Sequence, residues 1–232
     1  MALLYTSDLS KKYGRKKYAL ENINLNIEPG KIIGLCGPNG SGKTTLIKLA
    51  AGLLTPTSGI ITVDGMPVGP ETKAVVSYLP DKSFVPENYR VFAILDFFRE
   101  FYADFDMDAA REMLKRLDID GGETFKTLSK GTQEKVQLVL IMSRKAKLYL
   151  LDEPIGGVDP AARDYILNTI ISNYSSDSSV IISTHLIADI ENTLDEVIFI
   201  KYGQLFLHST SDEIREKHGK SVDAYFREVF AC

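Results

Sequence analysis

The most informative stretch of this sequence is Gly37-Pro38-Asn39-Gly40-Ser41-Gly42-Lys43-Thr44. It has the spacing G-x-x-x-x-G-K-[ST], follows the short apolar run at 31–36, and precedes good helix formers at 44–51. Glycines allow such a loop to turn its backbone N–H groups toward phosphate oxygens, and the following helix adds the positive end of its dipole. The stretch therefore predicts a phosphate-binding loop between a strand and a helix.

The side chains at the end of this loop have separate predicted roles. Lys43 would reach the β- and γ-phosphates of a nucleotide, and the Thr44 hydroxyl would be a ligand of Mg²⁺. Thr45 follows in the same helix turn and is included in the predicted nucleotide site. A glycine-rich turn without a ligand is the alternative, and the flanking strand and helix argue against it. We therefore expect ATP and Mg²⁺ as ligands.

A second motif places two carboxylates at the end of an apolar run, Leu148-Tyr149-Leu150-Leu151-Asp152-Glu153. Ligands of parallel sheets bind at the carboxyl ends of the strands, which is where these acids would lie. We expect Asp152 to hold the Mg²⁺ shell and Glu153 to polarise the attacking water. Two solvated acids at a strand end are the alternative, which the phosphate-binding loop makes the weaker one.

Strands alternate with helices along most of the chain, which predicts an α/β fold with a mainly parallel sheet. Residues 20–27 alternate apolar and polar side chains, as in a half-buried strand. Apolar residues recur at helical spacing between 81 and 128, for example Phe97 with Phe101, so this stretch is predicted to be a mainly helical insert. Further strands are expected at 3–9, 59–63, 74–79, 180–183 and 196–200, with helices at 161–174, between the last two strands, and from 211 onward.

Composition limits the possible partners and location. The net charge is −4 and the pI about 5.5, so no basic field indicates a nucleic acid partner. Only Cys36 and Cys232 occur, which argues against a disulfide framework and favours a reducing compartment. The N-terminus does not resemble a signal peptide, and no run of about 18 apolar residues is present. The expected class is a cytoplasmic protein without a membrane span of its own.

Together, these motifs resemble those of the ATP-binding cassette (ABC) ATPases, the nucleotide-binding domains of ABC transporters. The most specific segment is Leu128-Ser129-Lys130-Gly131-Thr132-Gln133, which is similar to the family's LSGGQ segment but departs from it at Lys130 and Thr132. In the family this segment contacts the ATP of a second subunit, which implies that Ser129 and Gly131 belong to the nucleotide site of a dimer. A serine helix cap without a ligand is the alternative.

The resemblance also implies roles for single residues. His185 corresponds to the family's switch histidine, which contacts the γ-phosphate, and Asp159 lies in the loop that crosses the dimer interface. Asp159-Pro160 could equally be an ordinary helix start. Tyr13 lies where the family has an aromatic residue that stacks on adenine, with Tyr18 as a nearby competitor.

One position departs from the family in a way that bears on the metal. Asp81 follows the strand at 74–79, where the family normally has a glutamine that touches Mg²⁺ or water. An aspartate is shorter and negatively charged, and it cannot donate a hydrogen bond as an amide can. Asp81 is therefore included as a catalytic and metal-site residue that could approach the metal through water. Either hydrolysis is slower with this residue or the loop lies closer to the metal, and the sequence does not decide between these two.

The insert is rich in aromatic residues, which the resemblance associates with a groove for a short helix of the membrane subunit. The alternative is a small helical core, and we expect at least half of these rings to be buried. The rings are Phe84, Tyr89, Phe92, Phe97, Phe98, Phe101, Tyr102 and Phe105.

The resemblance implies one ABC-type P-loop NTPase domain over 1–232, with a mainly parallel core, an antiparallel β region and a helical subdomain insert. The expected parts are a catalytic core at 1–80 and 129–210, the insert at 81–128, and a helical tail at 211–232. The implied function is ATP hydrolysis that powers a transporter, closest in character to bacterial multidrug or peptide-antibiotic exporters.

The implied partners are a separate transmembrane permease and a second ATPase, as a homodimer or a heterodimer, at the inner face of the cell membrane. The alternatives are a soluble ABC ATPase that acts as an assembly scaffold, and a P-loop kinase. The residues do not indicate the transported substrate, because the membrane subunit selects it.

Overall fold

The computed structural model describes residues 2–14, 17–155 and 160–231. Within these ranges the strands form two sheets, one of order β2-β1-β4-β5 and one of order β10-β9-β3-β8-β7-β6. Their bounds are β1 Leu4–Lys12, β2 Tyr18–Ile27, β3 Ile32–Cys36, β4 Ser58–Val63, β5 Met66–Pro67, β6 Val76–Leu79, β7 Leu148–Asp152, β8 Ser179–Thr184, β9 Glu196–Lys201 and β10 Gln204–Thr210.

The larger sheet confirms the predicted α/β architecture. Strands β6, β7, β8, β3 and β9 run parallel, and only the edge strand β10 is antiparallel to its neighbour. The central strands β3, β7 and β8 are buried along their whole length, as expected for apolar strands covered on both faces. The smaller sheet is antiparallel throughout, and β2 alternates buried and exposed residues as its sequence predicts.

The helices cover both faces of the larger sheet. Their bounds are α1 Lys43–Ala50, α2 Val91–Phe101, α3 Met107–Arg116, α4 Lys130–Met142, α5 Pro160–Asn173, α6 Ser211–His218 and α7 Val222–Phe230. Helix α1 lies between the two sheets, where Leu46 and Ile47 share one core with Leu25 of β2 and Leu150 of β7. The other helices belong to a second core on the opposite face. No helix of the described ranges is long and apolar enough to cross a membrane.

Two predicted elements differ from the structure, and strand β10 was missed. Residues 74 and 75 precede β6 in a 3-10 turn rather than in the strand. The helix expected between β8 and β9 is instead two single 3-10 turns, Ile187–Asp189 and Glu191–Thr193, held by the buried side chains of Ile187 and Ile190. Strand β10 was not predicted, because it is an edge strand whose side chains are only partly buried and whose apolar alternation is weak.

Arg144 connects the helical region to the sheet. Its buried guanidinium donates to both carboxylate oxygens of Asp104 at 3.1 Å and to the Val76 carbonyl at 2.7 Å. The guanidinium carbon Cζ of Arg144 lies 3.9 Å from the ring centroid of Tyr102. A buried bidentate pair with additional carbonyl acceptors fixes two elements relative to each other.

Helices α2 and α3 both lie within 81–128, and the division into core, insert and tail stays a prediction.

Candidate nucleotide site

The phosphate-binding loop lies between β3 and α1, as its sequence predicts. Gly40 and Gly42 have φ values of 78° and 116°, in the left-handed region that a side chain disfavours. A Cβ on Gly42 would also lie 2.6 Å from the Ala19 carbonyl oxygen. Position 42 therefore requires glycine for two reasons. Its backbone is left-handed, and the backbone of β2 lies too close to it for a side chain.

Lys43 points back into the loop. Its side chain is 5% exposed, and its ammonium group donates to the Gly37 carbonyl at 2.7 Å and to the Pro38 carbonyl at 3.4 Å. The nearest carboxylate oxygen, Oε1 of Glu153, is 3.9 Å away. Burial lowers the pKa of Lys43, and the charge of Glu153 opposes this effect. A phosphate group would give this desolvated cation a stronger partner than neutral carbonyls.

Asp152 ends β7 with a buried carboxylate that is only half satisfied. Its Oδ1 accepts hydrogen bonds from the hydroxyls of Thr44 at 3.2 Å and Ser183 at 2.5 Å. Its Oδ2 is buried, and no described residue hydrogen-bonds to it. A carboxylate oxygen without a partner beside a threonine hydroxyl provides the hard oxygen donors that Mg²⁺ prefers. The residues present therefore fit Mg²⁺.

Ser183 was not assigned a role from the sequence. It lies at the carboxyl end of the buried strand β8, directly opposite Asp152 in the parallel ladder. Its hydroxyl donates to Asp152 and accepts a hydrogen bond from the backbone N–H of Glu153 at 3.0 Å. The sequence did contain a signal for this role, because Ser183 is a polar residue at the end of an apolar strand, where ligands of parallel sheets bind.

Glu153 has an unusual backbone conformation, and its carboxylate contacts two other residues of the site. Its φ is 53°, which is uncommon for a residue other than glycine and tends to occur at functional sites. Its Oε2 lies 3.0 Å from Nδ1 of His185, and its Oε1 faces Lys43. The fold thus brings together the ends of β3, β7 and β8, which are far apart in sequence.

Tyr13 follows β1, and its side chain reaches the first turn of α1. Its hydroxyl is 3.5 Å from Oγ1 of Thr45, and its ring is about half exposed. The competitor Tyr18 is also exposed, with the Lys12 ammonium 5.1 Å from its ring centroid. The contact with Thr45 favours Tyr13, and its assignment to adenine stays a prediction.

The segment that resembles LSGGQ forms the start of α4. Ser129 is the N-cap, accepting a hydrogen bond from the Thr132 N–H at 3.2 Å, and its Oγ lies 2.7 Å from the Thr132 hydroxyl oxygen. The ordinary helix cap is therefore present, and Thr132 takes part in it. A Cβ on Gly131 would meet no atom within 4 Å, so this chain's own packing does not require glycine there. Among the described residues, no hydrogen bond joins this segment to the phosphate-binding loop.

Two further predicted residues are less defined by the structure. Asp81 is exposed in the loop after β6, and no three acidic, histidine or cysteine side chains of the described residues converge as a metal cluster would require. Its role toward the metal stays a prediction. Asp159 lies outside the described residues, together with the rest of its loop at 156–159.

An open groove of about 600 Å³ lies where α2 and the loop after β6 face the sheet. We call it the aromatic groove, and its lining includes Phe84, Tyr89, Phe97, Phe98, Phe101 and Tyr102. The expectation that at least half of the eight aromatic rings are buried is wrong. Only Phe98 and Phe105 are buried, because α2 turns one face, with Val91, Ile94, Leu95 and Phe98, toward the core and leaves its other rings outside.

Comparisons with known proteins agree with this geometry. A family model described as ABC transporter matches residues 20–156. The chain is 32% identical over 213 residues to the ABC transporter ATP-binding protein YtrB of Bacillus subtilis (strain 168), covering 90% of this chain and 73% of that protein. It is 29% identical to the daunorubicin resistance ATP-binding protein DrrA3 of Streptomyces coeruleorubidus, over 94% and 72% of the two chains.

Solved structures show the same likeness. The structure of an ATP-binding subunit of an ABC transporter has a TM-score of 0.88 and 28% identity, and the match covers 98% of this chain and 99% of that one. The dimeric bacterial ABC transporter cassette MJ0796 has a TM-score of 0.79 over 89% of this chain and 98% of that one. Its identity of 21% supports similarity of fold alone.

Proposed function

Because the chain belongs to the ABC transporter family, as an ATP-binding subunit, we propose that it hydrolyses Mg·ATP to drive a membrane transporter. One observation carries this proposal. The buried Lys43 ammonium, the half-satisfied Asp152 carboxylate and the Glu153–His185 pair form a continuous set of contacts around the phosphate-binding loop. Such a set can bind a triphosphate, hold a divalent cation and orient a water molecule.

Each side chain has one task in this proposal. Lys43 and the loop amides bind the phosphate oxygens, and Thr44 with Asp152 hold Mg²⁺, which when bound neutralises phosphate charge. Glu153 accepts a hydrogen bond from the attacking water and orients it. His185 holds the Glu153 carboxylate through Nδ1, which leaves its Nε2 available to the γ-phosphate. Asp81 approaches the metal through water.

We propose that the active form is a dimer with a second copy or a similar chain. Gly131 lies in the first turn of α4 although glycine is unfavourable in helices and no neighbour within this chain requires it. Close approach of a group from another molecule explains the glycine. The capped helix start at Ser129 presents free N–H groups suited to a phosphate of the partner's nucleotide. Asp159 belongs to the same interface in this proposal.

We propose that the aromatic groove binds a short apolar helix of a separate transmembrane permease. Phe97 and Phe101 lie with their ring centroids 4.4 Å apart and are 51% and 67% exposed, which is costly in water and favourable beneath an amphipathic helix. In this proposal the chain acts at the cytoplasmic face of the membrane, bound to the permease. Export is the proposed direction, supported by the likeness to resistance proteins.

The groove proposal predicts that Phe101→Glu releases the permease. A charge in the centre of an apolar contact costs about 2 kcal/mol or more, so membrane protein recovered with the tagged chain should fall at least about tenfold. Ile60→Glu is the matched control, because Ile60 is similarly exposed on β4 outside the groove. Equal recovery by both variants would place the permease elsewhere. Recovery of no multi-span protein by the wild type would favour the scaffold alternative.

The proposed activity predicts phosphate release by the purified chain. ATP should be converted to ADP and inorganic phosphate when Mg²⁺ is present, and EDTA should stop the reaction because Asp152 and Thr44 then hold no cation. Phosphate released without an added acceptor separates hydrolysis from the P-loop kinase alternative. Transfer to a small acceptor with no free phosphate would overturn the proposal.

A further inference from the structure

Tyr78 lies on the strand next to the one that ends in Asp152. It is on β6, paired with Leu150 of the parallel strand β7. Because paired residues and residues two apart along a strand share one face of a sheet, Tyr78 and Asp152 lie on the same face in neighbouring strands. This is the face covered by α1, since Tyr78 packs against the core that contains Leu46. The phenol is therefore directed to the side of the sheet that carries Thr44.

Two polar atoms on this face lack a partner. The Tyr78 hydroxyl and Oδ2 of Asp152 are both buried, and neither has a hydrogen bond to any described residue. A buried polar atom without a partner is destabilising, because it has lost its hydrogen bonds to water. One is a hydroxyl that can donate and the other a carboxylate oxygen that accepts, so a single water would satisfy both. Burial and the charges of Asp152 and Asp81 raise the pKa of Tyr78, which keeps the phenol protonated as a donor.

Tyr78 is also one of the residues that line the aromatic groove. One residue thus belongs both to the lining of the groove proposed for the permease and to the sheet face that carries the carboxylate proposed for Mg²⁺. A helix that displaces or tilts this ring would move the hydroxyl with it, because the phenol is rigid between its two ends.

We propose that Tyr78 is a positioning residue for the magnesium site, donating to a water that Oδ2 of Asp152 also holds, and that it links this site to the aromatic groove. The proposal rests on the ATPase function proposed above. It adds a residue outside the metal ligands, and loss of such supporting hydrogen bonds typically weakens metal binding about 10–100-fold.

Tyr78→Phe tests the proposal with a binding measurement. A fluorescent ATP analogue is titrated with Mg²⁺, and the Mg²⁺ concentration at half-maximal response should rise about tenfold. Binding of the analogue in EDTA should be unchanged. The melting temperature without nucleotide should be equal to or higher than that of the wild type, since the variant removes an unpaired buried hydroxyl.

Tyr5→Phe is the matched control, because Tyr5 is a partly exposed tyrosine on β1 that does not line the groove. Wild-type Mg²⁺ dependence in Tyr78→Phe overturns the inference, as does a lower melting temperature without nucleotide, which would indicate a structural partner for the hydroxyl. Absence of Mg²⁺-dependent nucleotide binding in the wild type would instead count against the proposed function.

Discussion

Glu153→Gln is expected to abolish nearly all hydrolysis while ATP still binds. The amide keeps the size of the side chain and its contact with His185, but it cannot accept the water proton. Removal of a general base costs about 10²–10⁴-fold in rate. Because ATP is then bound and not consumed, the variant should accumulate as an ATP-dependent dimer. Phosphate release measures the first effect, and size exclusion with and without Mg·ATP measures the second.

The matched control for this prediction is Glu196→Gln. Glu196 also pairs with a histidine, since its Oε2 lies 2.9 Å from Nε2 of His208, but the pair is outside the phosphate-binding loop. This variant should hydrolyse ATP at close to the wild-type rate. Wild-type hydrolysis by Glu153→Gln would show that another group orients the water. Loss of hydrolysis without a dimer would contradict the proposed second subunit.

Lys43→Ala is expected to lose nucleotide affinity. The ammonium group is the one cation seated inside the loop among the described residues, where burial strengthens its interaction with a phosphate. A charged hydrogen bond of this kind contributes about 1.5–3 kcal/mol, so the dissociation constant for ATP should rise about 10–100-fold. Isothermal calorimetry in the presence of Mg²⁺ measures the change.

Lys48→Ala separates this effect from a general loss of positive charge. Lys48 lies in the last turn of the same helix, away from the loop, so its variant should bind ATP with wild-type affinity. Melting curves without nucleotide check that both variants are folded. Undiminished binding by a folded Lys43→Ala would contradict the assignment of the loop as the phosphate site.

Local sequence patterns were sufficient for much of this site. The loop at 37–44 was predicted because a strand, glycines and a helix must follow one another there, and the structure has β3, the loop and α1 in that order. The acidic pair was predicted because an apolar run ends in Asp152, and β7 does end there. The resemblance to the ABC family is likewise confirmed by the family match over 20–156.

Other features depend on contacts between distant segments. Ser183 became part of the site only because β8 pairs with β7 in a register that places it opposite Asp152. The aromatic rings of α2 have helical spacing, which predicts a helix but not which side meets the core, and more of them are exposed than expected. A helix was predicted after His185, but the structure has two short 3-10 turns there. The turns are held by buried side chains, and the sequence pattern does not show which residues these are.

The sequence by itself therefore determined the glycine-rich loop between a strand and a helix, the acidic strand end and the family of the chain. These features are local, since each is fixed by the conformation of a few consecutive residues. Only the tertiary structure decided which side chains share the Asp152 carboxylate, that Glu153 lies between Lys43 and His185, and that Tyr78 shares a sheet face with Asp152. Such relations depend on strand order and register, which join residues far apart in the chain.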